Sequence, residues 1–244
     1  MSEALPLIAI LGGSGDLGTG LARRWLQAGY RVVIGSRTAL KAQTAAEELR
    51  ELMLARSADE LTIESKTVSR IGAQVRGMDN LAAATVADIC VLTVPFAHHG
   101  STLTLVREAL QAKILIDVTV PLQPPNVARV QLPEQGSAGK IAQQLLGEKV
   151  QVVSAFQNVA AQHLQTDHSL DCDVIVCGDK KAARVEVIKL VEAAGMRGVH
   201  GGSIANAAAV EAMTSVLIFI NKHYACQAGL RITGLDSAGL DSTS

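Results

Sequence analysis

Apolar residues in this chain fall into short unbroken runs separated by longer stretches with helical spacing. Leu7–Leu11 is apolar throughout and ends in glycines. Asp16–Ala28 comes next, with Leu17, Leu21, Trp25 and Ala28 at helical intervals. Gly29 stops that helix, Arg31–Ile34 is a second strand, and Thr38 can cap a long helix reaching about Met53. A strand–helix–strand unit is thus complete within about thirty residues. The polar stretch Leu54–Arg70 reads as an insertion. Ala73–Arg76 comes after it, then the strand Ile89–Val94, the helix His98–Ala112, the strand Ile114–Val118, and a proline-containing loop, Pro121–Gln135, that could close over a site. Ser137–Leu146 reads as helix and Val150–Ala155 as the last strand of the sheet. Beyond it lie Val174–Val176, a helix at Lys180–Ala194, a long apolar helix at Ala205–Ile220 read as buried, and a frayed tail at Leu235–Ser244.

Continuous β-branched runs suit strands covered on both faces. The expected class is α/β, a Rossmann-type doubly wound parallel sheet with a small C-terminal α+β part. Residues 1–155 would form the nucleotide-binding domain, and 156–244 a smaller substrate-binding and dimerisation domain.

The junction between the first strand and helix carries Gly13-Ser14-Gly15-Asp16-Leu17-Gly18. In that context Gly13 permits the tight turn, Gly15 lets the backbone approach a pyrophosphate, and Gly18 lets helix and strand pack closely. The helix N-terminus then faces the phosphates. A merely flexible loop does not explain three such glycines, whose ordering is costly in entropy. About twenty residues on, an NAD site would place Asp or Glu against the ribose hydroxyls. Here stand Ser36, Arg37 and Lys41 instead. A hydroxyl and two cations without a carboxylate suit a 2′-phosphate, which predicts NADP. Cations at a helix start would otherwise oppose its dipole.

Charge and composition narrow the partners. Lys plus Arg number 22 against 23 Asp plus Glu, and aromatic residues make up 2% of 244 residues, so neither an electrostatic footprint nor stacking platforms for nucleic acid are present. A small-molecule partner is expected. Four cysteines without a CxxC pair and an N-terminus without a basic leader suggest a cytoplasmic protein. Asn206 and Glu211 interrupt the Ala205–Ile220 helix, which is shorter than the ~20 residues that span a bilayer. No membrane role is expected, and the helix is a candidate homodimer contact.

Several chemistries lack their residues. Tyr30 and Tyr224 are followed four positions later by Ile34 and Ala228, so no Tyr-x-x-x-Lys pair exists. No GxSxG or HExxH occurs, and no metal is expected. His163 and His168 read as surface residues and Cys90 as inert core. The carboxyl edge of the sheet remains, with Thr93–His99 after one strand and Val118–Pro121 after the next. His98 could bond the cofactor or cap the adjoining helix, while His99 reads as a surface residue. The segment after Val150–Ala155 must cross the mouth of the site, making Gln157 and Asn158 the polar groups nearest an acceptor.

The motifs LGGSGDLGTGLA, VVIGSRTALK, ADICVLTVPFAHH, VVSAF, CDVIVCGD and the closing GLRITGL, in that order, resemble the NADPH-dependent coenzyme F420 reductases nearly end to end. The resemblance implies direct hydride transfer between stacked nicotinamide and deazaflavin rings, with F420 as co-substrate and no conspicuous acid–base residue, so no catalytic side chain is assigned. It places Ser14, Gly15, Asp16 and Leu17 at the phosphates, Ser36, Arg37 and Lys41 at the 2′-phosphate, and Val94, His98, Val120 and Ala161 near the nicotinamide. Departures fall on the acceptor side: Phe96 replaces a Trp of the family, and Gln157 and Ala160 stand near a His and a Pro. Reduction of another planar, carbonyl or imine substrate, or a non-catalytic NADP redox sensor, are the alternatives.

Overall fold

Leu7–Leu11 forms strand β1, and all five residues are buried because helices cover both faces of the sheet. In the computed structural model, which describes residues 4–59, 74–166 and 170–235, Ile8 and Ile10 face one core layer and Leu7, Ala9 and Leu11 the other. With β2 (Arg31–Ser36), β3 (Val75–Asp79), β4 (Ile89–Leu92), β5 (Ile114–Asp117) and β6 (Gln151–Ser154), the parallel order is β3-β2-β1-β4-β5-β6. Helices α1 (Asp16–Gln27) and α2 (Ala39–Asp59) cover one face, while α3 (Asn80–Val86), α4 (Phe96–Val106) and α5 (Ala138–Leu146) cover the other.

Contrary to the expectation from sequence, the sheet does not end at β6. After the short helix α6 (Ala161–Leu164), β7 (Asp173–Gly178) pairs antiparallel with β6; helix α7 (Lys181–Ala193) then leads to β8 (Arg197–Gly202), parallel to β7. β8 reads RGVHGG, too poor in apolar residues to betray a strand. Its glycines serve packing: a Cβ on Gly198 would lie 2.9 Å from Ile188 Cγ2, and one on Gly201 2.5 Å from Cys177 Sγ. Strand direction reverses at the 155/156 boundary, yet the sheet and both core layers continue across it. Trp25 on α1 meets Phe156 edge-to-face at 6.0 Å, and its indole N–H donates to Leu190 O at 2.8 Å.

Helix α2 continues through Asp59, so the polar stretch expected to be an insertion begins as helix; its remainder from residue 60 lies outside the described residues, as do His168 and the tail from 236. The last helix, α8 (Ala207–Tyr224), comes after a 3₁₀ turn at Ile204–Asn206. It is buried on one face only. Val210, Glu211, Ser215 and Leu217 face the core, while Met213, Val216, Phe219 and Tyr224 are exposed. The segment Ile204–Tyr224, at 21 residues, is by length and composition long and apolar enough to cross a membrane, contrary to the expectation that it is too short.

Candidate functional site

Strand order reverses between β1 and β4, so the chain leaves these neighbours in opposite directions and opens a crevice at their carboxyl ends. The turn after β1 forms its floor. The left-handed residue that makes the turn is Gly12 (φ +74°), where a Cβ would overlap Val94 Cγ1. Gly13 is required for space instead: a Cβ there would lie 2.6 Å from Ile10 O, and one on Gly18 would strike the backbone of Gly13. Gly15 differs from both. It is the N-cap of α1, no side chain caps the helix, and a Cβ would meet nothing within 4 Å. The first turn of α1 thus borders a cavity without a side-chain cap, at the end where the helix dipole favours an anion.

Gly12, Ser14, Gly15, Asp16, Leu17 and Gly18 line a cavity of about 400 Å³ together with Ser36, Arg37 and Lys41. Ser36 closes β2 and is buried, whereas Arg37 and Lys41 are exposed and their side chains have no partner among the described residues. Thr38 Oγ1 accepts from Lys41 N at 3.4 Å, which starts α2 as its sequence suggests. An anion at this end would meet two cations and a hydroxyl, and one along α1 would meet backbone N–H groups. A dinucleotide with a 2′-phosphate fits that donor set.

The other end of the cavity is built from the loop after β4: Thr93, Val94, Pro95, His98 and Thr102 line it. Pro95, not His98, is the N-cap of α4, which settles one of the two readings of His98 against capping. Val120 and Ala161 are half-buried and lie outside this lining, one past β5 and the other opening α6. Thr93 and Pro95 belong to the loop that the sequence marks at the sheet edge, whereas Thr102 and Asn80 also line the cavity and were not identified from the sequence. Asn80 comes directly after Asp79, whose carboxylate accepts from Ala82 N at 2.9 Å, so the pair reads as an ordinary helix start.

His99 is not on the surface. It is 1% exposed, and its Nε2 lies 2.7 Å from Oδ2 of Asp117, which is 0% exposed. Oδ1 of Asp117 accepts from Thr119 N at 3.0 Å. His163 is half-buried rather than exposed, and its Nε2 has no partner among the described residues. Gln157 is also buried: its Nε2 donates to Asp117 O at 2.7 Å and to Ser154 Oγ at 2.8 Å, leaving Oε1 without a partner among the described residues. Asn158 Nδ2 donates to Val210 O at 3.1 Å and Thr214 Oγ1 at 3.0 Å, tying the segment to α8. These amides brace strand ends and helix against each other, a use that the position after β6 does not reveal. Asn158, with Val159, Ala160, His163, Cys172, Ala228 and Gly229, also lines a separate cavity of about 590 Å³.

Beneath them Glu211 of α8 accepts from Ala138 N at 2.7 Å and Gly139 N at 3.1 Å at the start of α5. Burial pushes its carboxyl up to about 8, against the effect of those two donors. Burial likewise pushes the Cys90 thiol up to about 12, in keeping with core packing and against a nucleophile. Among the described residues no group of three His, Cys, Asp or Glu could hold a metal ion.

Comparison with known proteins gives the family. A family described as NADP oxidoreductase, coenzyme F420-dependent, matches residues 7–121. The F420-dependent NADP reductase of Methanocaldococcus jannaschii is 36% identical over 235 residues, covering 94% of this chain and 99% of that protein. The enzyme of the same name from Methanothermobacter marburgensis is 35% identical, covering 93% and 98%. A solved structure from Arthrobacter sp. FB24, described as a candidate F420-dependent NADP reductase, superposes with a TM-score of 0.72 at 25% identity, covering 94% of this chain and all of that one.

Proposed function

This chain belongs to the F420-dependent NADP reductases, and we propose that the crevice between β1 and β4 is where it holds NADP(H). The protein is an NADP-dependent oxidoreductase that transfers hydride between NADP(H) and coenzyme F420. One observation carries the site assignment: a helix N-terminus at Gly15 without a side-chain cap and the cations Arg37 and Lys41, which have no partner among the described residues, line a single cavity. Ser14–Leu17 bind the pyrophosphate there, Ser36, Arg37 and Lys41 the 2′-phosphate, and Val94, His98, Val120 and Ala161 border the nicotinamide.

The chemistry comes from the two coenzymes, one giving and the other taking the hydride; the protein aligns them and keeps water out. The acceptor lies on the side of Phe156–Ala161, where Asn158, Val159 and Ala160 line the 590 Å³ cavity and Gln157 Oε1 has no partner among the described residues. On this reading residues 1–155 hold NADP(H), and 156–244 complete the acceptor side and the contact between two copies. The exposed Met213, Val216 and Phe219 of α8 suit a homodimer interface. All four cysteines are free, in keeping with a reducing cytoplasmic compartment. Titration of the protein with NADPH and NADH tests the assignment, which fails if the two bind equally.

A further inference from the structure

β2 and β3 run parallel with Ser36 opposite Asp79, so the next residue, Asn80, leaves the sheet at the level of Arg37. Its side chain does not stay on β3. It is 4% exposed, and its Oδ1 accepts from Gly12 N at 3.1 Å, at the exit of β1 two strands away. To reach Gly12 the side chain must cross the end of β2, and it crosses at Gly35. A Cβ on Gly35 would come within 2.8 Å of Asn80 Oδ1. The missing side chain at Gly35 is thus the corridor through which Asn80 meets the glycine turn.

That contact fixes which way the amide faces. A backbone N–H can only donate, so the atom toward Gly12 must be the oxygen, and the NH₂ is the other end. Among the described residues no partner accepts from Nδ2, and Asn80 lines the 400 Å³ cavity together with Ser36, Arg37 and Lys41. We propose that Asn80 is a specificity-determining residue for NADP(H): Oδ1 holds the glycine turn while Nδ2 donates to the phosphorylated ribose. This rests on the assignment of the cavity to NADP(H). Asn80 thereby couples the height of the pyrophosphate turn to recognition of the 2′-phosphate.

Asn80→Asp separates bracing from recognition. The aspartate keeps an oxygen for Gly12 N at nearly the same volume, but replaces the donor with a charge that repels phosphate. Dissociation constants for NADPH and NADH are measured by calorimetry on wild type, Asn80→Asp and Asn80→Ser, which removes the amide without adding charge. The expected result is a fall in NADPH affinity of about tenfold or more for the aspartate, equivalent to roughly 1.4 kcal/mol, with a smaller loss for NADH. The NADPH preference falls in both variants, so the serine variant decides the matter if the aspartate variant does not fold. Equal losses for both nucleotides, or an unchanged preference, would reduce Asn80 to a brace and overturn the proposal. A wild-type protein without preference for NADPH would instead refute the cavity assignment itself.

Discussion

His99 and Asp117 form a buried pair at 2.7 Å that joins the first turn of α4 to the end of β5. The same turn carries Pro95 and His98 into the cavity proposed for the nucleotide, so the pair sets how that wall stands relative to the sheet. His99→Ala leaves a carboxylate buried without its imidazole partner. The expected cost is about 3–5 kcal/mol of stability by urea unfolding, together with weaker NADPH binding in the folded fraction. Unchanged stability would show that the pair does not hold α4.

Arg37→Asp exchanges the proposed 2′-phosphate donor for a carboxylate suited to ribose hydroxyls. Loss of the charge-assisted contact should cost roughly 1.5–3 kcal/mol of NADPH affinity, and preference should move toward NADH. Titration with both nucleotides checks this; an unaltered ratio would remove Arg37 from the pocket.

Gly15→Val should abolish nucleotide binding and leave the fold intact, since a Cβ at Gly15 meets no protein atom within 4 Å. Gly18→Val is the contrast, because its Cβ would strike the Gly13 backbone. Circular dichroism should stay native for the first variant while NADPH no longer raises its Tm. A normal ligand-induced shift would contradict the cradle.

Glu211 makes stability depend on pH. Its folded-state carboxyl is raised to about 8 from 4.5, so the folded chain holds a proton that the unfolded chain releases. The stability this contributes is complete below the ordinary carboxylate range and is lost as pH climbs through about 8. Unfolding free energy should therefore fall from about pH 4.5 to about pH 8 and level off above that, and Glu211→Gln should flatten that slope. An identical slope in the variant would rule out Glu211 as its source.

The parallel half of the fold, and the grouping of the glycine turn with Ser36, Arg37 and Lys41 around one cavity, were legible because their signals are local. An unbroken apolar run before Gly13 and the basic pair at Arg37 and Lys41 each stand within a few residues of their partners. The acceptor side was harder to read. Nothing near Gln157 in sequence shows that its amide binds the Asp117 carbonyl forty residues earlier, and polarity alone placed His99 outside a core it enters by pairing. β8 was hidden by its glycines, and the exposed face of α8 by an apolar composition that suits burial and assembly equally. Asn80 escaped notice because its role depends on Gly35, two strands meeting at a point no sequence window contains.

If one cleft brings NADP(H) and F420 together, with the 2′-phosphate as the discriminating group, hydride transfer itself must show the nucleotide preference. The visible absorbance of oxidised F420, mixed with purified protein and either NADPH or NADH, reports that transfer. Stoichiometric bleaching is expected with NADPH, much slower bleaching with NADH, and reversal of that order in Arg37→Asp. Absence of bleaching with NADPH, under conditions where NADPH measurably raises the Tm, would contradict hydride transfer in this cleft.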